Sequence, residues 1–110
     1  MAKPDYLGEF EFLVLLALMQ LGDDAYGVSV RQEIASRTGR DTSIGAIYTT
    51  LTRLEEKGYV RSRMGDPTPE RGGRSKRFFR ITNSGTAAVR RTCLSARNML
   101  AGLNVIRRFA

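Results

Sequence analysis

Thr49, Thr52 and Arg53 lie close together in the stretch "SIGAIYTTLTRLEEKGYV" (residues 43–60), and their side chains suit the reading of polar edges. A threonine offers a hydroxyl or a methyl to a base edge, and an arginine offers a planar fork that matches guanine or a phosphate. If the stretch is a helix turning 100° per residue, Ile47, Leu51 and Leu54 share one side. Gly45, Ala46, Thr49, Thr52, Arg53 and Glu56 then share the other. The small residues at the start would permit close approach to DNA. Ser43, Tyr48, Thr49, Thr52 and Arg53 form the candidate set on this segment. A second cluster follows in which Arg71, Arg74, Lys76, Arg77 and Arg80 crowd a segment whose one acid after Asp66 is Glu70. Two glycines there let the backbone lie near a phosphate. Arg71, Arg74 and Lys76 are the expected phosphate contacts.

Other chemistries find little support. The chain has no histidine, which removes the usual metal ligand and the usual base at neutral pH. Its Ser, Thr, Asp and Glu residues are scattered, and "GDPTPERGG" lacks the lysine and hydroxyl pair of a P-loop. An enzyme is not expected, nor a cofactor or metal. Lys and Arg total 18 against 11 Asp and Glu, a net charge of +7 that favours polyanionic partners. The single cysteine, Cys93, has Val89, Ala96 and Leu100 as helical neighbours. A small packing residue is expected there rather than a redox sensor, although Arg90 and Arg97 would favour a thiolate. The longest apolar run, Phe12 to Leu21, is shorter than the ~20 residues of a membrane span. Asp5, Glu9 and Glu11 stand before it, where a signal peptide would be basic. Cytoplasmic residence without membrane contact is the expectation.

At 110 residues the chain should form one domain with a modest core. Leu7, Phe10, Val14, Ala17, Leu18 and Leu21 recur at helical steps and predict a first helix over residues 7–21 that Gly22 ends. Phe12, Leu15, Leu16 and Met19 give it a second apolar face, so it is either buried all round or lends a face to a partner subunit. "DDAYGVSVRQEIASRTG" predicts a second helix with Asp24 as cap and Gly39 as stop. Ser43 should cap the third, whose apolar set is Ile44, Ile47, Tyr48, Leu51 and Leu54. From Gly58 the period changes to two. Arg61 and Arg63 alternate with Val60 and Ser62, and "RSKRFFRIT" returns with Phe79 and Ile81 on one face and Lys76, Phe78 and Arg80 on the other. The connection between the strands is longer than a tight turn needs, so its tip should move or become ordered on a partner. Thr82 should cap a last helix with a seam of Val89, Thr92, Ala96, Met99, Leu103 and Ile106.

Three short helices and then a basic hairpin is the order of a winged helix-turn-helix, in which the third helix enters the major groove and the wing touches the backbone. The expected fold is mainly α with a small β-hairpin and a terminal dimerisation helix. Residues 1–82 would form the DNA-binding part and 83–110 the dimerisation helix. Phe10, Phe12, Met99, Leu103 and Ile106 are the expected dimer contacts.

At this point the chain resembles the PadR-like transcriptional regulators over nearly its whole length. "AYGVSVRQEI" is similar to the family's tyrosine-glycine helix, "GAIYTTLTRLEEKGYV" to its recognition helix and turn into the wing, and "ERGGRSKRFFRITNSG" to its wing and entry to the last helix. The resemblance implies a dimeric bacterial repressor that binds a double-stranded DNA operator and joins its subunits through terminal helices. It also implies, for some members, a small apolar or aromatic effector at the dimer interface, where Tyr6, Phe10, Met99, Leu103 and Phe109 would either line a cavity or, as the preferred expectation, fill it as a compact core. Thr49 occupies a position where many members carry proline, which implies that the recognition helix starts later than Ser43. Phe78 and Phe79 replace common tyrosines. The competing readings are an RNA-binding module and a winged domain whose basic wing holds an acidic protein.

Overall fold

Four helices and a two-stranded hairpin make up the computed structural model, which describes residues 6–65 and 76–105. Helix α1 spans Glu9–Leu21, α2 Gly27–Thr38 and α3 Ile44–Glu56. Strands β1 (Val60–Met64) and β2 (Arg77–Ile81) pair antiparallel, and α4 (Asn83–Leu100) follows. The residues between the strands, 66–75, lie outside the described residues, and so does the expectation of a mobile tip.

α1 begins two residues later than its apolar repeat suggests. Gly8 caps it, and the Gly8 amide donates to Glu11 Oε1 at 2.8 Å. Val14, Leu15, Ala17 and Leu18 are buried against Val30 and Ile34 of α2, Ile47, Leu51 and Leu54 of α3, and Val60 and Phe79 of the hairpin. Phe12, Leu13 and Leu16 are only partly covered, and Met19 is 47% exposed. One apolar flank of α1 is therefore open in the single chain, so the helix is not buried all round.

The start of α2 differs from expectation. Asp24 is not its cap: residues Gly22–Asp24 form a short 3-10 turn and Tyr26 takes the cap position in extended backbone. Ser29 Oγ accepts from the Tyr26 amide at 2.9 Å. The extended residues serve the hairpin, because the Phe79 amide donates to the Ala25 carbonyl at 2.8 Å and Tyr26 forms an antiparallel bridge with Phe78. The hairpin thus gains a third backbone neighbour that alternation alone did not reveal. In register, Val60 faces Ile81 and Ser62 faces Phe79, so the predicted inner face is the buried one.

Thr82 caps α4 as expected, its Oγ1 accepting from the Gly85 amide at 3.1 Å and donating to the Gly58 carbonyl at 2.7 Å. Gly85, Ala88 and Val89 are buried, whereas the helix is exposed from Cys93 to its end. Cys93 is therefore exposed rather than packed among the described residues. The expected seam is also interrupted: α4 ends at Leu100, and Gly102 turns the chain at φ +85°. A residue with a side chain is strained at that angle. Leu103 is 60% exposed beyond the helix rather than on it.

One ion pair ties α1 to the end of α3. Lys57 Nζ donates to Glu11 Oε2 at 2.9 Å, and Glu11 is only 7% exposed. Burial alone would raise the Glu11 pKa. The Gly8 amide, the Lys57 ammonium and the charge of Arg53 outweigh it and hold the carboxyl below its ordinary 4.5. A carboxyl depressed in this way adds stability that is complete above the unfolded value and is lost as pH falls through the lower folded value. Thermal melts of Glu11→Gln and wild type should therefore differ most at neutral pH and converge as pH falls through the lowered folded value. A constant gap across that range would show that the ionised carboxylate contributes nothing.

Candidate nucleic-acid interface

α3 starts where a hydroxyl can cap it: Ser43 Oγ accepts from the Ala46 amide at 3.1 Å. The helix then runs unbroken through Thr49, which corrects the implied later start. Thr49 lies in the second turn, where its amide belongs to the helical ladder. Ile47, Leu51 and Leu54 are fully buried, and Thr50 is buried beside them. Gly45, Ala46, Thr49, Thr52, Arg53 and Glu56 are exposed, as the 100° rotation predicts. Thr49, Thr52, Arg53 and Glu56 line one open hollow on this exposed face.

Tyr48 stands at the edge of this face. Its ring lies 6.2 Å from that of Phe79, and it rests so closely on α2 that a Cβ at Gly27 would come within 2.5 Å of Tyr48 Cζ. With 37% exposure, the tyrosine braces α2 and the hairpin while keeping one edge toward solvent. A side chain at Gly27 would have to displace the Tyr48 ring.

Of the expected phosphate contacts, Arg71 and Arg74 lie outside the described residues. Lys76 stands at the root of the wing, with Nζ 4.3 Å from the centre of the Tyr26 ring and its carbonyl accepting from the Gly65 amide at 2.7 Å. Tyr26 and Phe78 meet edge to face at 5.6 Å, and the Arg63 guanidinium covers Phe78 at 4.8 Å. Aromatic rings and cations thus alternate on the outer surface of the hairpin.

Two arginines of the basic segment are not free charges. Arg77 Nη2 donates to Glu55 Oε1 at 2.7 Å, and Arg80 Nη2 donates to Asp23 Oδ1 at 2.8 Å. The acids that balance them come from α3 and from the turn before α2. Counting acids along the wing segment could not find them. Among the expected dimer contacts, Phe10 is partly buried with Arg40 5.2 Å above its ring, Phe12 is partly buried, and Met99 is 81% exposed. Ile106, like Phe109, lies outside the described residues. No group of three or more Cys, Asp or Glu that could hold a metal occurs among the described residues, and none of their helices is long and apolar enough to cross a membrane.

Residues 15–91, from the core of α1 to the first turns of α4, match the model of the transcriptional regulator PadR-like family. The chain belongs to this family. An uncharacterised protein of Lysinibacillus sphaericus is 31% identical over 90 residues, which is 79% of this chain and 78% of the relative. A PadR family transcription regulator of Clostridium difficile has the same fold, with a TM-score of 0.73 at 20% identity over 90% of this chain and 98% of its own. Bacillus subtilis PadR in complex with operator DNA gives a TM-score of 0.66 at 17% identity, over 77% of this chain and 47% of its own. As a PadR-like protein the chain is a DNA-binding transcriptional regulator with a winged helix, and its task is recognition rather than catalysis. Within that fold α3 is the third helix, and the β1–β2 hairpin follows it in chain order.

Proposed function

We propose that this PadR-like protein is a dimeric, cytoplasmic bacterial repressor. In this reading α3 reads the operator in the major groove and the wing holds the phosphate backbone. The observation that carries the reading is the exposure of Thr49, Thr52 and Arg53 around one hollow, opposite a fully buried stripe on the same helix. Arg53 forks onto a guanine, Thr49 and Thr52 meet neighbouring base edges, and Ser43 and Tyr48 border the site. Lys76, with Arg71 and Arg74, supplies phosphate contacts. Arg53→Ala should cost about 1–3 kcal/mol on a duplex selected by the wild-type protein and should relax preference at one base position. A folded Arg53→Ala protein with unchanged affinity and base preference would reduce this face to solvated surface.

The dimer rests on surfaces that the single chain leaves uncovered. Phe12, Leu13 and Leu16 are partly open on α1, and Leu94, Met99 and Leu100 are exposed on α4. Apolar areas of this kind mark interaction sites. Phe10 and Leu103 would join the same interface, and a small apolar or aromatic effector would bind there. Met99→Glu would place a charge without a partner in that interface. Light scattering should find the wild type dimeric at micromolar concentration and the variant shifted to monomer. A monomeric wild type would overturn the assignment.

A further inference from the structure

Glu55 occupies the last turn of the recognition helix, where a negative charge opposes the helix dipole. An acid placed against that local rule implies a compensating gain elsewhere. Its carboxylate faces the wing. Oε2 accepts from Ser62 Oγ at 2.7 Å and from the Ser62 amide at 3.2 Å, while Oε1 accepts from Arg77 Nη2 at 2.7 Å. Arg77 Nη2 also donates to Ser62 Oγ at 3.1 Å, which closes the network. Ser62 lies on β1 and Arg77 on β2, so one side chain of α3 holds both strands. The Arg77 guanidinium in turn lies 5.1 Å from the centre of the Phe79 ring, and Phe79 is buried beside Tyr48 of the same helix. Glu55 stands two residues from Arg53 along the chain, and Arg77 directly follows Lys76.

We infer that Glu55 is a positioning residue that fixes the wing relative to the recognition helix, so that base contacts and phosphate contacts form together. The inference rests on reading α3 as the recognition helix and Lys76 as a wing contact. Charge-assisted bonds from two strands define one distance and one angle between the elements. A geometry set in advance spares the ordering that DNA would otherwise have to impose on the wing.

The test is a double-mutant cycle in Glu55 and Lys76, with affinities measured against salt on a duplex selected by the wild-type protein from a random library. Glu55→Ala should weaken binding about tenfold and flatten the log-log salt slope by ~0.9 for each phosphate that the wing no longer neutralises. In that background Lys76→Ala should add almost nothing, because the lysine is already misplaced. Glu55→Gln keeps an acceptor for Ser62 and should restore part of both the affinity and the slope. Should Glu55→Ala fail to fold, Ser62→Ala removes one hydroxyl donor and should shift the slope in the same direction. A folded Glu55→Ala protein with wild-type slope, or Lys76→Ala effects that simply add to its own, would overturn the inference and leave the DNA reading intact. Failure of the wild type to select any duplex, or no effect of Lys76→Ala in the wild-type background, would overturn the underlying reading as well.

Discussion

Gly85→Ala is expected to destabilise the protein by about 3 kcal/mol, the upper end of ordinary overpacking, and to lower Tm by more than ~10 °C. A Cβ at this position would stand 2.3 Å from the Tyr59 carbonyl oxygen and 2.6 Å from Ile81 Cγ1. Ile81 can change rotamer, but the carbonyl cannot easily retreat. It accepts the Thr82 amide at 2.9 Å, and the Tyr59 amide is itself held by the Leu54 carbonyl at 2.9 Å. Tyr59 thus joins the end of α3 to the entry of α4. The added methyl would push the first turn of α4 away and stretch the cap bond from the Gly85 amide to Thr82 Oγ1. Thermal melting by circular dichroism checks this. A variant melting within a few degrees of wild type would mean that α4 slides on the turn without cost.

Leu51→Ala should cost about 2–5 kcal/mol of folding stability, because truncating a fully buried leucine removes apolar contact and leaves a cavity. Its sequence neighbour provides the control. Thr52 is exposed on the opposite side of α3, and Thr52→Ala should leave stability within about 0.5 kcal/mol while weakening DNA binding. Denaturant unfolding and binding to a selected duplex, measured for both variants, separate the two faces of one helix. A Leu51→Ala loss under about 1 kcal/mol would show that α3 is not seated as described. A Thr52→Ala loss of several kcal/mol would show that its outer face is structural.

Most of the fold was legible because its elements obey simple periods. Ile47, Leu51 and Leu54 repeat at helical steps, Val60, Ser62, Phe79 and Ile81 alternate, and Ser43 and Thr82 are strong caps placed directly before their helices. Three features escaped for physical reasons. The cap of α2 moved from Asp24 to Tyr26 because Ala25 and Tyr26 are drawn into backbone pairing with β2, a tertiary contact that no local propensity encodes. The seam of α4 was read across Gly102, although the residues there are too weak to carry a helix past a glycine at positive φ. The burial predicted for Cys93 assumed a neighbour that the described residues do not supply. At the site, the exposed face of α3 followed from angle alone. The partners of Arg77 and Arg80 did not, since Glu55 and Asp23 are 22 and 57 residues away in the chain.

The backbone bridge between Tyr26 and Phe78 also bears on solubility. β2 is paired along one side with β1, and on the other it meets the residues entering α2 at Phe78 and Phe79, so among the described strands β1 presents the longer open edge. An open edge is a template for pairing with a second chain, and charged side chains are the usual protection against it. Arg61 and Arg63 both lie on β1 and are exposed. When no DNA is bound, repulsion between these arginines on neighbouring molecules would keep a small, basic sheet from extending itself into an aggregate.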